Sequence, residues 1–338
     1  MSKNIVLCFD GTWNRPDDPD DEISQETNVR LFYKQLINNS QPKVASDQQV
    51  AFYDEGVGCH WYDRIRGGIS GFGLTKNILE GYYHLCHSYQ KGDRVALIGF
   101  SRGAFTARSL AGLIYSCGLI STAALSEHTI EEAWEVYKEA EKPEKDLYKA
   151  RHIPCPIEMI GVWDTVGSLG IPIGLLKKIS DKLVQFHDTC LNPEVKAAYH
   201  ALAIDEQRST FEPTLWEDTS QSPNQTIEQV WFAGVHADIG GGYLKRHHSN
   251  VSLAWMINKA KQHQLLFKEP LIPLTHDVSQ PHHDSYHLLF GRKKRRVAST
   301  TDRVHQTVQE KINTTTAYIP LALVDRESEG LSPYQIVK

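Results

Sequence analysis

Ser101 lies in a sequence setting that could make its hydroxyl a nucleophile. The stretch RVALIGFSRGAFTARSLAGLIYSCGL passes from an apolar run through Gly99, Ser101 and Gly103, in the pattern GxSxG, into a helical pattern. Small residues two before and two after the serine permit a tight strand-to-helix turn, in which larger side chains would collide. Such a turn exposes the hydroxyl at the carboxyl end of a sheet, beside the positive end of the next helix. The pattern therefore predicts a nucleophile for acyl transfer, with a purely structural turn as the alternative.

A serine nucleophile also needs a base, and an acid that orients the base. On a parallel sheet these follow the serine in the order Asp, His, each just past the end of a strand. Asp164 follows the apolar run IEMIGVW and begins a loop that contains glycine, although an aspartate there could simply cap a turn. His236 follows QVWFAGV and precedes a run of glycines that lets the chain bend back. We predict Ser101, Asp164 and His236 as the catalytic residues.

Other residues compete for the roles of base and acid. His200 lies in PEVKAAYHALAIDEQR and His305 in DRVHQTVQEKI, and we interpret both segments as helical. A histidine on a helix face is more often a packing residue than a catalyst, so we favour His236 and leave His305 open as the alternative base. Asp238 is the rival acid, but it follows His236 too closely to orient the ring unless the loop bends sharply.

The first apolar run, NIVLCFDGTWN, suggests a second kind of chemistry. Haloacid-dehalogenase-like phosphatases place a DxDGT sequence after their first strand, and here Asp10 matches the second aspartate. Cys8 stands where the first aspartate would be, so the carboxylate that attacks phosphorus is missing. A phosphatase that acts through Asp10 and magnesium is therefore the weaker hypothesis.

The same turn has a use in acyl transfer. A tetrahedral intermediate at Ser101 needs two backbone N–H donors, one from the residue after the nucleophile and one from a loop that follows another strand. Arg102 is the first donor by position. We predict that Gly11 and Thr12 supply the second, with Asp10 bracing their loop through its own hydrogen bonds.

The order of the elements predicts how these residues are positioned. Apolar, β-branched runs alternate with helical patterns, as in a parallel sheet covered by helices. Together with the serine turn, this predicts an α/β-hydrolase fold: a mostly parallel sheet with helices on both faces, in one domain over residues 1–338. A stretch at about 275–301, rich in His, Pro, Ser and basic residues, predicts a surface excursion. The predicted strands are 4–9, 49–53, 94–100, 157–163 and 228–233.

Composition limits the classes of partner. The net charge of −5 and pI of about 6.3 give no electrostatic reason to expect nucleic acid. The six cysteines are scattered and form no CxxC pair, so we predict no metal. The glycine-rich loop at 67–73 matches neither nucleotide-binding pattern, so we predict no cofactor.

The sequence shows no signal-peptide pattern and no apolar run long enough to span a membrane, so we expect synthesis in the cytoplasm. Export as a folded protein would leave no sequence signal, and the oligomeric state stays open.

Two segments suggest contact with a lipid surface. Residues 171–186, IPIGLLKKISDKLVQF, have apolar residues near one helical face and lysines elsewhere, which is typical of a lid or an interfacial helix. Residues 288–297, LLFGRKKRRV, combine five basic residues with apolar ones and could meet anionic headgroups. The alternatives are a helix packed on the domain and a solvated loop.

Six segments of the chain form a set in a fixed order: CFDGTWN (8–14), YDEGVG (53–58), GFSRGAFTAR (99–108), GVWDTVGSLG (161–170), HALAIDEQR (200–208) and WFAGVHADIGGGY (231–243). This set resembles the α/β-hydrolase catalytic domain of type VI secretion phospholipase effectors of the first lipase class, also known as a family of uncharacterised proteins. The resemblance implies hydrolysis of lipid esters by Ser101, Asp164 and His236. Because a family fixes the catalytic groups more firmly than the substrate, a non-lipolytic carboxylesterase and an inactive binding module stay as alternatives.

Overall fold

The structure is a computed structural model that describes residues 2–11, 23–37, 48–55, 73–166, 190–217, 222–285, 302–328 and 334–338. Several predicted features lie outside these ranges. They are Thr12, nearly all of the glycine-rich loop, the amphipathic segment 171–186 and the basic segment 288–297.

A parallel sheet forms the centre of the described structure. Its eight strands lie in the order β10-β9-β7-β6-β5-β4-β1-β3, and each neighbouring pair is parallel. The remaining two strands, β2 and β8, form a separate antiparallel pair. The strands are β1 (Asn4–Phe9), β2 (Ile23–Thr27), β3 (Gln49–Asp54), β4 (Arg94–Phe100), β5 (Ile157–Trp163), β6 (Val195–Ala203), β7 (Thr226–Phe232), β8 (Gly241–Tyr243), β9 (Arg303–His305) and β10 (Gln335–Val337).

Helices cover both faces of this sheet. The helices are α1 (Asn28–Gln35), α2 (Gly73–Ser88), α3 (Arg102–Cys117), α4 (Glu127–Glu139), α5 (Lys142–Lys149), α6 (His236–Gly240), α7 (Ser249–Gln262), α8 (Gln306–Thr314) and α9 (Leu321–Ser328). Alternate residues of β1 show how the faces separate. Ile5, Leu7 and Phe9 pack with α2, α3 and α4, whereas Val6 and Cys8 pack with α1 and α7. Because successive side chains of a strand point to opposite faces, a continuous apolar run buries both faces at once. The predicted α/β-hydrolase class of fold is confirmed.

The five predicted strands match five of the observed strands closely, but a segment predicted as a helix is a strand. The bounds 4–9, 94–100 and 157–163 are those of β1, β4 and β5, and 49–53 and 228–233 differ only at the ends of β3 and β7. The prediction of a helix around His200 is wrong, because Val195–Ala203 is β6, paired with β5 on one side and β7 on the other. Alanine favours helices in isolation, but β6 is a central strand whose small side chains pack in the cores of both faces.

His305 also lies elsewhere than predicted. It ends the short strand β9 and is the N-cap of α8, so it is not inside a helix. The predicted surface excursion is described only as far as residue 285, and residues 275–285 have no regular helix or strand there. The prediction of one domain over the whole chain stays a prediction.

Candidate active site

Ser101 lies in a strained turn between β4 and α3. Its backbone has φ 56° and ψ −118°, a conformation that few residues other than glycine adopt. The two flanking glycines allow close backbone contacts. A Cβ atom at Gly99 would lie 2.4 Å from the carbonyl oxygen of Gly103, and one at Gly103 would lie 2.1 Å from that of Phe9. The turn is therefore packed against itself and against the end of β1, and Ser101 within it is half-buried.

Ser101, His236 and Asp164 form one hydrogen-bonded row. Ser101 Oγ lies 2.9 Å from Nε2 of His236, and Nδ1 of His236 lies 2.6 Å from Asp164 Oδ2. The other carboxylate oxygen of Asp164 accepts a hydrogen bond from the backbone N–H of Ala203 at 3.1 Å. Asp164 is fully buried and His236 is 6% exposed. Since β4, β5 and β7 are parallel, the residues that follow them meet at the same edge of the sheet.

The surroundings of His236 favour its neutral form. Burial lowers the pKa of the imidazole, and the hydrogen bond and charge of Asp164 oppose that effect without reversing it. The rings of Phe100 and Phe211 lie 4.6 Å and 4.9 Å from the imidazole, measured between ring centroids. A neutral imidazole held between a hydroxyl and a carboxylate can accept the proton of that hydroxyl.

The rival residues are engaged elsewhere. His200 accepts a hydrogen bond through Nε2 from the backbone N–H of Thr165 at 3.0 Å, so it steadies the chain next to Asp164. The Nδ1 atom of His305 lies 2.8 Å from the hydroxyl of Thr307 at the start of α8. Asp238 pairs with His283, whose Nδ1 lies 2.7 Å from Asp238 Oδ1.

Asp10 accepts hydrogen bonds that hold the first turn of the chain. One carboxylate oxygen accepts from the hydroxyls of Thr27 and Tyr53, both at 2.6 Å, and the other accepts from the N–H of Gly11 at 2.7 Å. Burial raises the pKa of Asp10, although all three of these hydrogen bonds oppose the rise. These contacts fit the bracing role predicted for Asp10.

Gly11 lies directly beside the serine. A Cβ atom at Gly11 would lie 3.4 Å from Cβ of Ser101. Its N–H, however, is already donated to Asp10. The remaining predicted donor on this loop is Thr12, which lies outside the described residues, and Arg102 is the first residue of α3.

Three consecutive backbone N–H groups at the start of α6 are each bound by a carboxylate. The N–H of Gly234 donates to Asp205 Oδ2 at 2.7 Å, and that of Val235 donates to Asp238 Oδ2 at 3.1 Å. The N–H of His236 donates to Glu206 Oε2 at 3.2 Å. Sequence reasoning gave no role to Asp205 or Glu206, although both lie in the HALAIDEQR segment. The available signal was a pair of acidic residues placed directly after an apolar run.

Within the described ranges, no group of three or more His, Cys, Asp or Glu side chains is arranged to hold a metal ion. Over the same residues, no helix is both long enough and apolar enough to cross a membrane.

The parallel sheet with helices on both faces is a fold of the α/β-hydrolase class. Residues 3–259 match the family model described as "T6SS, Phospholipase effector Tle1-like, catalytic domain". The match covers most of the chain, and the protein belongs to this family.

Three individual proteins are similar to this chain at low sequence identity or over part of their length. An uncharacterized protein of Saccharomyces cerevisiae, YEL023C, is 31% identical over 239 residues, which is 62% of this chain. The chain spans only 32% of the length of that protein. A crystal structure of an uncharacterized protein from Pseudomonas aeruginosa is similar with a TM-score of 0.49 and 18% identity, over 82% of this chain and 49% of the other. The Tle1 effector bound to the VgrG spike of the type VI secretion system is similar with a TM-score of 0.43 and 18% identity, over 72% of this chain and 51% of the other.

Proposed function

We propose that this protein is a serine hydrolase that cleaves carboxylic esters of phospholipids or other lipids. The observation that carries the proposal is the buried hydrogen-bonded row from Ser101 through His236 to Asp164. Membership of a family of phospholipase-effector catalytic domains supports the lipid substrate. The substrate is part of the proposal, because a shared scaffold can act on different esters.

In the proposed reaction Ser101 Oγ attacks the ester carbonyl while Nε2 of His236 takes the hydroxyl proton. Asp164 holds the imidazole in the tautomer that leaves Nε2 free to accept, and it stabilises the imidazolium that forms. The imidazolium then gives its proton to the alcohol oxygen as the bond between that oxygen and the carbonyl carbon breaks. Water enters, gives a proton to His236 and attacks the carbonyl carbon of the acyl-enzyme. As the bond from that carbon to Ser101 Oγ breaks, His236 returns the proton to Ser101 and the carboxylic acid leaves.

The oxyanion of each tetrahedral intermediate needs preorganised donors. The N–H of Arg102 at the start of α3 is one proposed donor, where the partial positive charge of the helix adds to its effect. The turn after β1 is proposed as the second, since Gly11 lies against Ser101. With the N–H of Gly11 donated to Asp10, the N–H of Thr12 is the donor we favour on that turn.

We further propose that the enzyme is made in the cytoplasm and acts at a membrane surface. The segments 171–186 and 288–297 are the candidates for that contact, on the strength of their amphipathic and basic sequences.

One experiment separates this function from its alternatives. The protein is treated with a fluorophosphonate probe, the adduct is located, and a panel of phospholipids, triglycerides and short-chain esters is assayed with and without EDTA. We expect labelling at Ser101, hydrolysis of lipid esters and no effect of EDTA. Cleavage of short esters alone would favour a carboxylesterase, and absence of both labelling and turnover would favour a binding module. Full activity in Ser101→Ala would refute the proposed mechanism.

A further inference from the structure

Glu206 is a buried carboxylate that the proposed reaction does not use directly. Its side chain is 1% exposed, and it lies just past the end of β6, between the strands that precede Asp164 and His236. A buried carboxylate is costly unless its oxygens are satisfied by hydrogen bonds or a positive charge. The donors that bind the carboxylate of Glu206 show which parts of the chain it holds together.

One set of donors comes from its own turn. Glu206 Oε1 accepts from the backbone N–H groups of Gln207 and Arg208, at 3.0 Å and 2.9 Å. The guanidinium of Arg208 binds both carboxylate oxygens, with Nε 3.0 Å from Oε1 and Nη2 3.0 Å from Oε2. This two-point pairing fixes the plane of the guanidinium, whose central carbon lies 3.5 Å from the ring centroid of Phe211. Phe211 is one of the two rings that contact the imidazole of His236.

A second set of donors comes from distant parts of the chain. Glu206 Oε2 accepts from the backbone N–H of His236 at 3.2 Å and from the hydroxyl of Ser285 at 3.0 Å. The carboxylate thus joins the backbone of the proposed base to the segment that follows α7. Since His236 is also contacted by Phe211, Glu206 acts on its backbone directly and on its ring through Arg208 and Phe211.

We propose that Glu206 is a positioning residue for His236. Glu206 holds the backbone at His236 and, together with Arg208, sets the electrostatic environment of the imidazole ring. The proposal rests on the proposed hydrolase function. Among the described residues, Asp164, Glu206 and Arg208 are charged groups that act on His236. The negative charge of Glu206 raises the pKa of His236, and the positive charge of Arg208 lowers it. Removing the charge of Glu206 should therefore lower this pKa, and removing that of Arg208 should raise it.

The test compares Glu206→Gln with Glu158→Gln. Glu158 lies on β5, accepts from Lys196 Nζ at 2.6 Å and lies 3.1 Å from Nδ1 of His263, so the control also removes a paired carboxylate. We expect Glu206→Gln to lower kcat for a soluble ester such as p-nitrophenyl butyrate by up to about 100-fold, as for a displaced catalytic group, with little change in KM. Its kcat/KM profile should lose activity on the acid side at a lower pH than wild type. Glu158→Gln should match wild type in both respects.

A second measurement does not depend on turnover. Titration of His236 by NMR, with its resonance assigned from His236→Gln, should show a lower pKa in Glu206→Gln and a higher one in Arg208→Gln. A purely structural role for Glu206 would lower the melting temperature without moving this titration. The proposal is overturned if Glu206→Gln keeps the wild-type kcat and titration, or, where that variant fails to fold, if Arg208→Gln leaves the titration unchanged.

Failure of the proposed function would look different. If the wild-type protein cleaves no ester and Ser101 takes no fluorophosphonate label, the hydrolase proposal fails, while the titration of His236 still decides the role of Glu206. Ser285→Ala gives a graded check, because it removes one donor from Glu206 and leaves Arg208 in place. Its expected loss of kcat is smaller than that of Glu206→Gln.

Discussion

Asp164 Oδ2 lies 2.6 Å from Nδ1 of His236, although 72 residues separate the two in sequence. Asp164 reaches this position from a backbone with φ 37°, an unusual conformation for a residue other than glycine. The N–H of Asp164 donates to the carbonyl oxygen of Ala201 at 2.7 Å, and the N–H of Ala203 donates to Asp164 Oδ1. The end of β6 therefore holds the carboxylate against the imidazole.

Asp164→Asn should lower kcat by about 10⁴-fold, because an amide no longer fixes the tautomer that leaves Nε2 as the acceptor. Asp238→Asn is the matched control, since Asp238 pairs with His283 and binds the N–H of Val235. We expect a much smaller loss in the control. Steady-state kinetics on a short-chain ester make the comparison, and equal losses would count against Asp164 as the orienting acid.

The pH dependence follows from the lowered pKa of His236. The base must be neutral, so on the acid side activity is lost as the pH falls through the pKa of the imidazole. Because burial lowers that pKa, the pH at which kcat/KM falls to half of its maximum should lie below 6.5, the ordinary pKa of histidine. Phe211→Ala should move the midpoint upward, because it admits water to the ring. An acid limb at or above pH 6.5 in the wild-type protein would contradict the prediction.

Gly103→Ala should destabilise the protein strongly. The added Cβ would lie 2.1 Å from the carbonyl oxygen of Phe9, and because the obstacle is backbone, the end of β1 or the serine turn must move. We expect a cost of at least about 1–3 kcal/mol in the free energy of unfolding, as for overpacked cores. Gly11→Ala is the control, since its nearest contact is an ordinary 3.4 Å. Thermal or urea unfolding of both variants measures the difference, and equal stabilities would argue against the close approach.

Gly11→Val should affect turnover more than stability. Its branched methyl groups would extend beyond a Cβ that already touches Ser101 and would crowd the place proposed for the oxyanion. We expect kcat to fall by about 100-fold, on the order of losing one oxyanion donor. KM should change much less, since the donor matters most once charge has developed. A folded variant with wild-type kcat would remove this loop from the mechanism.

Asp10→Asn distinguishes a bracing role from a chemical one. Its partners Thr27 and Tyr53 are hydroxyls that can rotate to donate to or accept from an amide, so much of the bracing should survive. The expected loss of kcat is far smaller than in Ser101→Ala, for which triad knockouts suggest about a million-fold. Both variants are assayed with and without EDTA. Complete inactivation of Asp10→Asn, together with a requirement for magnesium, would favour the phosphatase hypothesis.

The serine turn and several strands could be predicted from the sequence because their causes are local. A run such as RVALIGF buries both faces of a central strand, and the bounds of β1, β4 and β5 follow from such runs. The glycines around Ser101 likewise reflect the geometry of a single turn. Even there, the atom that excludes a side chain at Gly103 belongs to Phe9, which only the pairing of β1 with β4 brings near.

Tertiary structure decided the assignments that depend on distant partners. The alanines of β6 predict a helix by propensity, but the strand lies between β5 and β7, where small side chains are needed for packing. His200 thereby became a support for Thr165, and the acidic pair after β6 came to face the loop that carries His236. Sequence by itself determined which residue types stand at the ends of strands, because those patterns are local. The order of the strands decides which of those ends meet, and it brings Glu206 to the N–H of His236. That order is set by long-range packing, which no local pattern contains.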